Sequence, residues 1–242
     1  MKDFTIYNSD TFEQIKKIED NSIDFIFTDP PYNLANYSTG NMQFDWRKNI
    51  NNNLAEWDKV ALKPEDLKDE FLRILKPAGN IMIFCSYNLL GKYHEIFDPL
   101  FDTFQFFVWH KSNPVPKFRK AGFLNSCELI ICMWNKGHTW NFISQKEMHN
   151  FYETPICMGA ERIKNPNHPT QKPVRLLSHL IKIASNENDL IFDPFMGVGS
   201  TGVAALELGR NFIGIEINKD YYNAAEIRLK NIQPSFFNAP VS

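Results

Sequence analysis

A chain of 242 residues is the size of one large domain, or of one domain carrying a substantial insertion. With 43% hydrophobic and 22% charged residues it can bury a core, which excludes global disorder; a net charge of −2 excludes a uniformly basic nucleic-acid coat but not a local basic face. Four cysteines (Cys85, Cys127, Cys132 and Cys157) without a CxxC pair exclude a disulfide scaffold and offer no zinc site.

Phe4-Thr5-Ile6-Tyr7 reads as a short strand. Thr11 to Ile18 follows at helical spacing, with Phe12, Ile15 and Ile18 on one face and Asp10 or Thr11 as N-cap. Ile23 to Thr28 is a β-rich run, halted by Asp29-Pro30-Pro31-Tyr32 because neither proline can donate to a ladder. Residues 33–58 are polar, asparagine-rich and without period. Directly after the proline motif they are expected to form a mobile flap, the alternative being a tolerated surface insertion. A helix is expected from about Pro64 to Leu75, closed by Lys76-Pro77-Ala78-Gly79, with Asn80 to Phe84 as a buried strand.

Strand-like runs return at Phe104 to Trp109 and Glu128 to Trp134, joined by a long loop with Pro114, Pro116 and Gly122. Residues 135–172 look irregular. Leu176, Leu177, Leu180, Ile181 and Ala184 predict a helix over Pro173 to Ser185. Strand Leu190-Ile191-Phe192, a helix over Gly202 to Leu208 and strand Asn211 to Glu216 complete the last third. Such alternation predicts an α/β parallel sheet with helices on both faces. No apolar run approaches the roughly 18 residues of a membrane span, and Met1-Lys2-Asp3-Phe4 leads into no export signal. The expected location is the cytoplasm, with reduced thiols.

Two motifs carry chemistry. In Asp193-Pro194-Phe195-Met196-Gly197-Val198-Gly199-Ser200-Thr201-Gly202, glycines lie between a strand and a helix, where they let a ligand approach the backbone and a helix N-terminus. Glu216 ends the next strand, at the spacing where an acid accepts hydrogen bonds from ribose hydroxyls. Together they point to a nucleoside-containing ligand, against the alternative of a tight packing turn. The second motif, Asp29-Pro30-Pro31-Tyr32, stands at the strand edge where open α/β sheets bind ligands. The Asp29 carboxylate and the Pro30 carbonyl are acceptors beside the flat face of Tyr32, a setting for a planar amine such as the exocyclic amino group of a base. Acceptors on that poorly nucleophilic nitrogen disperse the charge that develops on attack. Alone, the tetrapeptide also fits an ordinary proline turn.

This pair of motifs resembles the amino-directed DNA methyltransferases that use S-adenosylmethionine, and its order, catalytic motif before cofactor motif, resembles the permuted β group of that family. His168-Pro169-Thr170-Gln171-Lys172-Pro173 is similar to the family's element before its first cofactor helix. Glu56-Trp57-Asp58 and Trp109-His110-Lys111-Ser112-Asn113-Pro114 also resemble small β-group members. The resemblance implies a doubly wound, mostly parallel, seven-stranded Rossmann-like sheet in a single domain, 1–242. It implies that Asp29, Pro30, Pro31 and Tyr32 hold the target base and that Asp193, Phe195, Gly197 and Gly199 line the cofactor loop. Glu216 would bind the ribose, His168, Pro169 and Thr170 would lie beside the methionine part, and Asp10 would approach the adenine unless it is only a helix cap. An acid at position 29 favours adenine N6 over cytosine N4.

Amino methylation needs no enzyme thiol, and without a Pro-Cys dipeptide carbon-5 cytosine chemistry is rejected. No acid occurs from Thr103 to Cys127 or from Arg162 to Asn186. Lys111, Asn113, Lys117, Arg119, Lys120 and Lys172 in these stretches are expected at DNA phosphates, the alternative being a solvated charged surface. The target base must be flipped out of double-stranded DNA, or be single-stranded already. About 112–165 is expected to be a target-recognition insertion. The expected activity is site-specific adenine-N6 DNA methylation, ahead of cytosine-N4 methylation, then of RNA methylation or DNA binding without catalysis. Many β-group relatives dimerise, but no heptad or exposed apolar stripe shows a homodimer here. The sequence does not say whether a cognate restriction enzyme is a partner.

Overall fold

The computed structural model describes residues 3–31, 62–116 and 122–232. Among these, β1 (Phe4–Tyr7), β2 (Ile23–Thr28), β3 (Leu75–Cys85), β4 (Thr103–Lys111), β5 (Cys127–Trp134), β6 (Phe151–Thr154), β7 (Leu190–Asp193) and β8 (Asn211–Ile215) form one sheet in the order β1-β8-β7-β2-β3-β5-β4-β6. β5 runs antiparallel to β3 and β4, and the other pairings are parallel. The sheet is therefore mostly parallel, with eight described strands where seven were expected. The addition is β6, four residues of Phe-Tyr-Glu-Thr beside β4 at the sheet edge, too short to show a period in the stretch read as irregular.

Helices α1 (Thr11–Gln14, continued by a 3-10 turn at Ile15–Lys17), α2 (Pro64–Ile74), α3 (Leu90–Phe97), α4 (Val174–Ala184), α5 (Ser200–Glu207) and α6 (Lys219–Lys230) cover the two faces. Neighbouring residues of the central strands point to opposite sides, which splits the core in two. Phe25, Phe27, Met82, Phe84 and Ile130 pack with Leu176 and Leu180 of α4, Ala204 of α5 and Leu229 of α6. Ile26, Ile81, Ile83 and Ile131 pack with Leu67 and Phe71 of α2 and Tyr93 and Phe97 of α3. Burial on both sides explains why these strands read as continuous apolar runs.

One boundary differs from expectation. Helix α2 stops at Ile74, and Leu75 to Gly79 already belong to β3. The register slips between the pairs Ile23–Leu75 and Phe25–Asn80. Pro77 lies in that irregularity, where a missing N–H removes no ladder bond.

Candidate active site

The parallel strands bring the marked residues to one edge. Asp10 follows β1, Asp29-Pro30-Pro31 follow β2, Asp193 ends β7, with Phe195 and Gly197 in the loop after it, and Glu216 follows β8. Because β7 lies between β2 and β8, these ends converge. Together with His168 and Thr170, which precede α4, they line a single cavity of about 210 Å³. Pro169 and Gly199 are not among its lining residues: the Pro169 carbonyl accepts from Arg162 at 3.5 Å, and Gly199 caps the start of α5. Tyr32 and residues 33–58 lie outside the described residues.

The carboxylates are held by the backbone. Glu216 Oε2 accepts from the Gly197 N–H at 2.9 Å, and Oε1 accepts from the Asn218 N–H at 2.7 Å. Burial nevertheless pushes its carboxyl up to about 7. Asp193 Oδ1 accepts from Thr28 Oγ1 at 2.8 Å and from the Phe195 N–H at 3.1 Å, and burial pushes this carboxyl up to about 6. Two acids raised by burial in one cavity favour a ligand that brings hydrogen-bond donors or positive charge, because such a ligand restabilises the ionised form. Asp10 does cap α1, with Oδ1 accepting from Phe12 N and Glu13 N, and it also lines the cavity. His168 is pushed down to about 3, first by burial and then by Lys172, so its ring is neutral at working pH. It packs against Tyr221 at 4.6 Å between ring centroids.

Gly197 is required twice over. Its φ is +53°, and a Cβ there would stand 2.7 Å from His168 Nε2. Gly137 provides the comparison, with φ +89° and open space around the same position. Gly137→Ala should cost about 1–2 kcal/mol for the left-handed backbone alone. Gly197→Ala should cost a further ~1–3 kcal/mol of overpacking, read as the difference between their urea unfolding midpoints.

The basic residues are placed differently from expectation. Lys172 is 7% exposed and ion-paired to Asp29, and its Nζ lies 3.3 Å from Glu128 Oε2. Lys111 Nζ is 2.7 Å from Glu128 Oε1 and sits over the Trp109 ring. Both lysines direct their charge at internal carboxylates, whereas the acid-free stretches lead to an expectation of DNA phosphates. Asn113 ties two loops, its Oδ1 accepting from Ile156 N at 2.7 Å and its Nδ2 meeting Met158 Sδ. Lys117, Arg119 and Lys120 lie outside the described residues. Glu128 went unnoticed in the sequence; its one signal is an acid at the mouth of an otherwise apolar strand. Among the described residues no group of three or more His, Cys, Asp or Glu could hold a metal, and no helix is long and apolar enough to cross a membrane.

Comparison with known proteins agrees with this geometry. The N6_N4_Mtase family model, described as DNA methylase, matches residues 23–227. The chain is 35% identical to Type II methyltransferase M.HinfI of Haemophilus influenzae, over 96% of this chain and 69% of the relative. It is 33% identical to Type II methyltransferase M2.LlaDCHI of Lactococcus lactis subsp. cremoris, over 93% of this chain and 88% of the relative. A solved M1.HpyAVI–SAM complex is 30% identical, with a TM-score of 0.66, covering 93% of this chain and 100% of that one. The PvuII cytosine-N4-specific DNA methyltransferase has a TM-score of 0.70 at 18% identity, over 96% and 89%, a likeness of fold alone.

Proposed function

The chain belongs to the N6/N4 DNA methylase family, and we propose that within it this protein methylates adenine N6 of a flipped-out base at a specific DNA site, using S-adenosylmethionine. The observation that carries the reading is the meeting of Asp29-Pro30-Pro31 with Gly197 and Glu216 in one cavity. When bound, S-adenosylmethionine supplies the methyl group as an electrophilic sulfonium.

The residues present fit that group. Glu216 offers a carboxylate to ribose hydroxyls, and the bare Cα of Gly197 lets the backbone come close. Neutral His168 sets no positive charge against a cation. Phe195, Asp193 and Thr170 complete the wall, and Asp10 combines its capping bond with a place beside the ligand. Asp29, at the end of β2, accepts the N–H of the incoming exocyclic amine, and Pro30 and Pro31 fix the backbone that aims it. A base within a duplex cannot reach Asp29, so it enters flipped out. Tyr32 is proposed to supply its stacking face. Lys117, Arg119 and Lys120, within a recognition insertion at about 112–165 of one domain, are proposed to meet phosphates.

The acid at position 29 favours adenine over cytosine. Unmethylated bacterial DNA treated with enzyme and cofactor, digested to nucleosides and analysed by mass spectrometry, should yield N6-methyladenine. N4-methylcytosine as the only product would overturn the base assignment, and methylation of RNA but not DNA would overturn the substrate.

A further inference from the structure

We propose that Lys172 is a positioning residue for methyl transfer: anchored from behind by Glu128, its ammonium keeps the Asp29 carboxylate ionised and oriented where the exocyclic amine arrives. The proposal rests on the reading of Asp29 as that amine's acceptor.

Four separate segments build the arrangement. Lys111 ends β4, Glu128 is in β5, Lys172 precedes α4 and Asp29 follows β2. Their charges alternate along the row, Lys111 to Glu128 to Lys172 to Asp29, and sum to zero. Lys172 is fixed on several sides: Nζ pairs with Asp29 Oδ2, lies 3.3 Å from Glu128 Oε2, reaches the Thr170 carbonyl at 3.4 Å and stands 4.7 Å over the Phe84 ring. Burial alone would push such an ammonium down, but Asp29 and then Glu128 outweigh it and hold Lys172 raised, hence charged.

A buried ion pair stabilises a fold little better than apolar packing does, so stability alone is a weak reason for this row. Its position supplies another. Among the described residues, the Asp193 carboxyl and the Tyr93 phenol also feel the charge of Asp29. Ionised Asp193 opposes the ionisation of Asp29, and Tyr93, held neutral by burial, contributes no charge. Lys172 supplies the opposing positive charge. Glu128, itself paired with Lys111, keeps that charge from being drawn wholly onto Asp29, so the carboxylate stays basic enough to accept a hydrogen bond.

The test compares Lys172→Met, Lys172→Arg, the double variant Lys172→Met/Glu128→Gln and Asp29→Ala with wild type. Loss of a neighbouring cation raises a carboxylate's protonation pH by about 1–3 units. Lys172→Met should therefore move the acidic limb of the kcat–pH profile upward by that amount. At a pH between the wild-type limb and the displaced one it should lower kcat about tenfold, with KM for DNA and calorimetric cofactor affinity within about threefold of wild type. Lys172→Arg should restore the limb, because the charge returns. The double variant removes the buried acid that the single change strands, and it should show the same displaced limb.

An unmoved limb in a folded, cofactor-binding Lys172→Met enzyme overturns the proposal, as does a fall in kcat that Arg does not rescue. Loss of cofactor binding in both the single and the double variant would assign Lys172 to folding alone and also overturn it. Wild-type activity in Asp29→Ala would overturn the parent reading instead. An inactive Asp29→Ala beside an unaffected Lys172→Met would leave the parent reading intact and refute this one.

Discussion

Asp29→Ala should lower the rate of methyl transfer by at least about 10²–10³-fold, the cost of removing one well-placed group that stabilises developing charge. The exocyclic nitrogen is a weak nucleophile because its lone pair is delocalised into the ring. As the bond from nitrogen to the methyl carbon forms, positive charge grows on that nitrogen, and a carboxylate hydrogen-bonded to its N–H is the group that disperses it. Folding should survive the change. Asp29 follows β2 at the cavity rather than within the core, and Lys172 keeps Glu128 as a second partner when Asp29 is lost. Cofactor affinity should survive as well, since Glu216, Gly197 and Asp193 are untouched. Asp29→Asn keeps one acceptor oxygen but no charge, so its rate should fall between the two. Initial rates with tritiated cofactor, beside calorimetry of cofactor binding, check all of this. Wild-type rates in Asp29→Ala would remove Asp29 from the chemistry.

The sequence exposed the parts of the site that require unusual residue types at strand ends. Asp29-Pro30-Pro31 stops a strand in a way few alternatives can, and Gly197 needs both a positive φ and a missing Cβ. The central strands were legible because burial on both faces leaves an unbroken apolar run. Helix α3 was not anticipated: only Tyr93 and Phe97 of its eight residues are buried, a stripe too thin to announce itself. Helix α6 is polar over most of its surface and has the same character, with Tyr221, Ala225 and Leu229 buried.

The ion pairs of Lys111 and Lys172 were not legible for a different reason. An acid-free stretch describes neighbours along the chain, whereas the partners come from across the sheet. Glu128 begins just where one such stretch ends, and Asp29 is 143 positions from Lys172. Asp10 caps α1 through Oδ1 and is also among the residues that line the cavity, so its capping bonds do not remove it from the cavity wall.

Glu216→Ala should weaken cofactor binding about 10- to 100-fold, since a hydrogen bond to a charged group is worth ~1.5–3 kcal/mol and each ~1.4 kcal/mol is tenfold. The same residue should make binding depend on pH. Burial raises its carboxyl from an ordinary 4.5 to about 7, so between those values the native protein keeps a proton that the unfolded chain has already released. This contribution to folding stability therefore falls as pH rises from about 4.5 to about 7 and is level above that. Ribose hydroxyls donating to the carboxylate favour its ionised form, so binding is coupled to proton release and affinity should rise as pH increases toward 7, then flatten. Glu216→Gln carries no proton to release. Its affinity should be lower and flat from about pH 7 to 8, with a shallower residual slope below that from Asp193, raised to about 6. Calorimetry in buffers of different ionisation enthalpy counts the protons directly: wild type should release a fraction of a proton at pH 6.5 that Glu216→Gln does not. Equal proton release by the two proteins would show that Glu216 does not meet the ligand, and would move the ribose contact elsewhere on the cavity wall.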